Sequence, residues 1–237
     1  MSDLQTVLAE LVTANHILAN EDVLDAFGHV SIRSPEAAGE YLISRSRSPE
    51  LVTAADIQRY DLDSNLLGYD ERRGYIERVI HGGILKLRPD VMAVCHFHSP
   101  AIMPFCVADI PWIPVTHLAA TLGISVPVWD SQDEFGDTDM LISTPEQAAS
   151  MARTLGNQNA VLLRGHGAVV VGRSVRELVM RSIQLCRNGD VLMRTRLHAN
   201  PKPLSEREVA LSGAKNLEAP VLARAWDYWA ARAAQAH

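Results

Sequence analysis

The sequence predicts an α/β protein: one domain over residues 1–237, built on a mostly antiparallel sheet flanked by helices. Three observations predict it. Segments with apolar residues at helical spacing alternate with short runs rich in β-branched residues. Turn-forming segments join the short runs in pairs, as in hairpins. No internal repeat, low-complexity tract or convincing linker divides the chain.

The elements follow in order. Asp3 to Asn20 carries Leu4, Val7, Leu8, Leu11, Val12 and Ile17 near a helical period, and Asn20-Glu21-Asp22 breaks it, giving an amphipathic first helix. Val30-Ser31-Ile32-Arg33 alternates and can pair with Tyr41-Leu42-Ile43 across the turn-rich segment 34–39. Thr53-Ala54-Ala55-Asp56 has the form of a small capping box, and 60–65 that of a strand running into a turn. From Arg72 to Lys86 apolar positions recur at helical spacing until Leu87-Arg88-Pro89-Asp90 stops them, so Glu77 and His81 share a helix face. The apolar run from Val91 then forms a strand ending in His96-Phe97-His98. A short helix spans Ala101 to Val107, and Pro114-Val115-Thr116-His117 leads into another apolar stretch. Thr144-Pro145-Glu146 supplies an N-cap with proline in the first turn of a helix ending at Gly156. Ala160 to Leu163 and Ala168 to Val171 are strands that bracket Arg164-Gly165-His166-Gly167, a tight hairpin or bulge. Ser174-Val175-Arg176-Glu177 caps a long helix to about Met193, and Glu206 to Ala234 reads as further helix, a C-terminal extension from about residue 201.

Composition narrows the class. A net charge of -6 lacks the basic footprint of a nucleic-acid binder, so a small-molecule partner is expected. No apolar run reaches the roughly 18 residues that span a bilayer, which argues against a membrane partner. Met1-Ser2-Asp3 begins with acid where a secretory signal has base, and a cytoplasmic location is expected. Cys95, Cys106 and Cys186 are odd in number, sit in apolar surroundings and show no paired metal spacing, which fits reduced core thiols.

The chemistry lies in the histidines. A strand puts residues i and i+2 on one face, so His96 and His98 point toward one place, half of a metal site. From spacing alone, metal ligation and a hydrogen-bonded structural pair stand equal. In Gly165-His166-Gly167 the flanking glycines permit unusual dihedrals and close approach to an imidazole. Three neutral imidazoles with open positions would make a catalytic site suited to zinc, manganese, iron or cobalt. His16, His198 and His237 read as solvated side chains.

Gly28-His29-Val30-Ser31, Glu77 on a helix, His96-Phe97-His98 after it and Gly165-His166-Gly167 late in the chain together resemble the class II aldolase/adducin family. The resemblance runs from about residue 4 to about residue 200. It implies an α/β/α sandwich around a central, largely antiparallel sheet, and a ring-shaped homotetramer with active sites at subunit interfaces. It carries three metal ligands onto His96, His98 and His166, binding one divalent ion per subunit, and an acid/base carboxylate onto Glu77. A tyrosine that reaches across from the neighbouring subunit in the aldolases falls at or next to His117, a second catalytic candidate, although a buried structural histidine is equally open there. His81 would orient Glu77 from one turn away. Adducin head domains lack the metal ligands; this chain keeps them all, which favours an enzyme.

The departures are as informative. Where sugar-phosphate enzymes of the family hold phosphate with asparagine, small hydroxyl residues and glycine, this chain has His29, Ser44-Arg45-Ser46-Arg47 and Gly74-Tyr75-Ile76. An arginine fork matches a planar carboxylate bidentately, and Tyr75 with Ile76 would add a flat apolar wall. His29, Ser44, Arg45, Ser46, Arg47 and Tyr75 are therefore the expected substrate contacts. The chain is similar to the branch that decarboxylates hydroxylated aromatic or pyridine dicarboxylates. An aldolase or epimerase acting on a sugar or sugar phosphate is the alternative, and an iron-dependent oxygenase and a non-enzymatic oligomeric module are further possibilities.

Overall fold

The computed structural model describes residues 4–236, so Met1, Ser2, Asp3 and His237 lie outside the described residues. Its short apolar runs pair into one sheet: β1 (His29–Arg33), β2 (Glu40–Ser44), β3 (Ile57–Asp61), β4 (Ala93–Phe97), β5 (Val128–Trp129), β6 (Ala160–Leu163) and β7 (Gly167–Gly172). The order is β3-β2-β1-β4-β7-β6-β5, antiparallel throughout except for the parallel pair β5 and β6. The helices are α1 (Leu4–Asn20), α2 (Arg78–Leu87), α3 (Met103–Val107), α4 (Gln132–Phe135), α5 (Pro145–Leu155), α6 (Val175–Arg196), α7 (Glu206–Asn216) and α8 (Ala219–Ala236).

Both faces of the sheet are covered, and strand alternation decides which side chains go where. Ala93, Cys95 and Phe97 of β4 join a core with residues of α1, α6 and α8, whereas Val94 joins a second core with residues of α2 and α5. His96 therefore stands on the α2 side. In register, His29 of β1 lies beside His96. That pairing fixes the centre of the site.

Local signals act as their chemistry requires. Thr144 accepts from the Gln147 amide above Pro145, and Ser174 accepts from the Glu177 amide, so α5 and α6 begin where their caps stand. The Asp56 carboxylate accepts from both the amide and the hydroxyl of Thr53, completing the box that leads into β3. The three cysteines are buried free thiols. Burial pushes Cys106 and Cys186 up to about 12, so both stay protonated and unreactive. No helix among the described residues is long and apolar enough to cross a membrane.

Three expectations need correction. The helix predicted from Arg72 begins only at Arg78, because Arg45 bridges Gly74 and the Ser46 amide donates to the Arg73 carbonyl, which draws residues 73 and 74 against the end of β2. The predicted C-terminal helix is two, α7 and α8, parted at Leu217 and Glu218 just before Pro220, whose ring cannot continue a helix from the preceding turn. His16 is not simply solvated: its Nε2 lies 2.8 Å from the Val52 carbonyl. The two-residue strand β5 and the four-residue helix α4 carry too little periodicity to be foreseen.

One buried charge ties the layers together. Arg181 of α6 donates to the carbonyls of Thr121 and Val171, each at 2.9 Å, and pairs with Glu177 at 2.5 Å. Arg181→Met would leave Glu177 and two carbonyls buried without their donor, and a loss of about 3–5 kcal/mol in urea unfolding is expected.

Candidate active site

His96 is the last residue but one of β4, its side chain buried, and His98 follows just past the strand on the same face. His166 comes to them from the turn between β6 and β7. The chain can make that approach because Gly165 has a φ of 63° and because a Cβ at Gly167 would collide with the Phe97 carbonyl. Glu77 stands at the N-cap of α2, where the Ile142 amide donates to its Oε1 at 3.0 Å.

The four side chains converge. His98 Nε2 lies 3.0 Å from His96 Nε2 and 3.2 Å from His166 Nε2, and Glu77 Oε2 lies 3.5 Å and 3.8 Å from the latter two atoms. All four ligand atoms fall within 4.8 Å of one another. Donors about 2.0–2.1 Å from a tetrahedral ion stand about 3.3 Å apart, so the spacing fits one bound cation. The outer nitrogens are turned away from the cluster. His96 Nδ1 faces the Ala168 carbonyl at 3.1 Å and His98 Nδ1 faces Asp25 Oδ1 at 3.3 Å, which aims both Nε2 atoms inward.

The protonation states agree with that geometry. Burial, reinforced by the charge of His96, lowers His98 below the ordinary imidazole range and brings His166 to about 4. Burial alone would raise the Glu77 carboxyl, but the hydrogen bond and charge of His96, the charge of His166 and the Ile142 amide outweigh it and hold the group at about 2. A neutral imidazole and a carboxylate are ligating forms for a divalent ion, and the shifts of His98, His166 and Glu77 run in that direction.

Beside the cluster opens a cavity of about 470 Å³. Of the expected contacts, His29, Ser46, Tyr75, Glu77, His98 and His166 line it. His29 is buried, with its ring centroid 4.4 Å from that of Tyr75 and 5.2 Å from that of His96. Other expected contacts lie elsewhere. Arg45 and Arg47 do not line the cavity; both turn to the buried Asp56, at 2.7 Å and 3.3 Å, because that carboxylate is the nearest compensating charge. Ser44 is buried behind Tyr75, its hydroxyl 3.4 Å from the Tyr75 hydroxyl, which also donates to the Arg47 carbonyl. His117 is exposed before the turn 118–122, away from the cavity, and its carbonyl accepts from Asn216. It is not a buried histidine. His81 does not orient Glu77: because Glu77 caps α2 instead of riding on it, His81 meets His29.

Sequence reasoning missed four lining residues, the apolar Phe27 and Leu141 and the charged Arg73 and Asp25. Arg73 is exposed at the cavity and makes no hydrogen bond or ion pair through its side chain among the described residues. It was hidden inside a segment read as helix. Asp25 accepts from the amides of Phe27 and Gly28, each at 2.9 Å, and so presents its carboxylate to His98. An aspartate two and three residues before those amides is an Asx-turn signal that could have found it.

The family model of the class II aldolase and adducin N-terminal domain matches residues 9–188. Decarboxylase tropJ of Talaromyces stipitatus is 29% identical over 242 residues, covering 92% of this chain and 90% of that protein. A 3,4-dihydroxyphthalate decarboxylase of Arthrobacter keyseri is 31% identical over 193 residues, covering 74% and 73%. An aldolase II superfamily protein from Pseudomonas syringae has a TM-score of 0.82 at 18% identity, covering 100% of this chain and 95% of that one, a likeness of fold. The decarboxylase relatives support a lyase. With the matched span covering most of the chain and the resemblance read from its histidines and Glu77 in accord, this protein belongs to the class II aldolase/adducin family.

Proposed function

We propose that this protein is a metal-dependent carboxy-lyase that removes carbon dioxide from a hydroxylated aromatic or pyridine (di)carboxylic acid. The observation that carries the reading is one cavity in which the Glu77, His96, His98 and His166 cluster adjoins an unpaired guanidinium, Arg73, and the ring of Tyr75. His96, His98 and His166 would hold zinc, manganese, iron or cobalt, which when bound supplies a Lewis acid for the electron pair left by the broken carbon–carbon bond. Arg73 binds a substrate carboxylate, with His29 and Ser46 as polar contacts and Tyr75 against the ring. Arg45 and Arg47 support that wall through Asp56 and the Arg47 carbonyl instead of touching substrate. Glu77, held as a carboxylate, takes the proton of the substrate hydroxyl on binding and returns it to the ring carbon after carbon dioxide leaves. The ring oxygen, left as an oxyanion by that step, takes one proton from solvent as the hydroxylated product leaves.

The reading extends to a cytoplasmic protein of one domain, with helices after about residue 201 as an extension. It also extends to a homotetramer in which the exposed His117 serves a neighbouring subunit's cavity. An aldehyde-lyase acting on a sugar phosphate is the alternative. It would have no use for the Tyr75 wall.

Kinetics on 3,4-dihydroxyphthalate separate the arginines. Arg73→Ala is expected to raise KM roughly 10–100-fold, the value of a hydrogen bond to a charged group, with little change in kcat. Arg45→Ala should instead lower the melting temperature by leaving Asp56 half-paired. An unchanged KM in Arg73→Ala removes the carboxylate argument.

A further inference from the structure

Behind the cavity, its polar contact His29 heads a buried chain whose other members, His81 and Ser31, the proposed chemistry does not use. His29 Nδ1 lies 2.6 Å from His81 Nε2, and His81 Nδ1 lies 2.6 Å from the Ser31 hydroxyl. Ser31 and His29 sit two apart on β1 and so share a face, while His81 reaches down from α2. The three residues are 0%, 0% and 1% exposed for Ser31, His81 and His29. Tyr41 stacks along His81, but its own hydroxyl is engaged by Ser64 and the Arg78 carbonyl and does not compete for the chain.

Such a chain can be polarised in two senses. In one, the Ser31 O–H donates to His81 Nδ1, His81 Nε2–H donates to His29 Nδ1, and His29 Nε2–H is left facing the cavity. In the other, every donor is reversed, and His29 presents a lone pair. The Ser31 hydroxyl has no other partner among the described residues, so the reversed sense leaves its proton buried and unpaired. An unpaired buried donor is strongly disfavoured. The first sense pairs the Ser31 and His81 hydrogens inside the protein and leaves only that on His29 Nε2 open to the cavity. Burial of both rings favours their neutral forms, which each sense requires.

Building on the reading of the site as an acid-binding cavity, we infer that Ser31 and His81 are positioning residues that fix His29 as a neutral hydrogen-bond donor, Nε2–H toward substrate. His29 thus selects an acceptor, a carboxylate or ring oxygen, at a fixed place beside Tyr75, and discriminates against a ligand that offers a hydroxyl donor there. Glu77 is left as the proton-transfer group. The chain adds direction to the cavity without adding charge.

Neutron diffraction from deuterium-exchanged crystals of the full chain near neutral pH tests this directly. Deuterium is expected on His29 Nε2, on His81 Nε2 and on Ser31 Oγ aimed at His81, with both Nδ1 atoms bare. Deuterium on Nδ1 of either ring overturns the inference, whatever the enzyme's substrate. Kinetics supply the second reading. With 3,4-dihydroxyphthalate, Ser31→Ala should raise KM about 5–10-fold through loss of one oriented hydrogen bond and leave kcat within about twofold. A fall in kcat with KM unchanged contradicts a positioning role. Should the deuterium pattern hold while no acid is turned over, the donor direction stands and the decarboxylase reading alone falls.

Discussion

Replacing His96 by alanine is expected to abolish bound metal and turnover together. Its Nε2 lies between Glu77 Oε2 and His98 Nε2, and its Nδ1 is anchored on the Ala168 carbonyl, so it is the most constrained member of the cluster. Loss of an outer-sphere partner alone lowers metal affinity 10–100-fold, so loss of a direct ligand should exceed about 100-fold. Elemental analysis after dialysis against dilute chelator measures it. The strand should survive, because Val94, Cys95 and Phe97 keep their places in the two cores. A variant that keeps stoichiometric metal would show that the cluster is a polar structural knot.

Glu77→Gln separates binding from chemistry. The glutamine oxygen can still accept from the Ile142 amide, and the three imidazoles remain, so metal should be retained. What disappears is a carboxylate held at about 2 beside the substrate's hydroxyl. Loss of a positioned acid/base group costs about 10²–10⁴ in rate, and kcat should fall by that much with KM changed little. Activity retained in Glu77→Gln would remove its assigned role. Joint loss of metal and activity would make Glu77 a ligand and no more.

How much of this was legible in the sequence differs by element. Caps and hairpins were readable because their chemistry is local: Thr144 with Pro145, Ser174 with Glu177, and the glycines around His166 act within a few residues. His96, His98 and His166 were nameable from alternation and glycine geometry, and Glu77 from resemblance. The arginines were not. Arg45 and Arg47 look free in sequence, and only the folded chain brings the Asp56 carboxylate to them. Arg73 looked like the first turn of a helix, and only the Arg45 to Gly74 bridge shows that the backbone there is drawn to β2. His81 was assigned to the wrong partner for the same reason, since a helix beginning at Arg78 turns it toward His29. In each case the deciding contact joins residues distant in sequence, which periodicity does not record.

Carbon dioxide release by metal-loaded protein from 3,4-dihydroxyphthalate, followed beside aldehyde release from L-fuculose 1-phosphate, bears most directly on the proposed reaction. One carbon dioxide per hydroxylated benzoate formed, dependent on the metal and absent in His96→Ala, is the expected result. Cleavage of the sugar phosphate to an aldehyde and a ketone, with no carbon dioxide from hydroxylated phthalates or pyridine dicarboxylates, would contradict it.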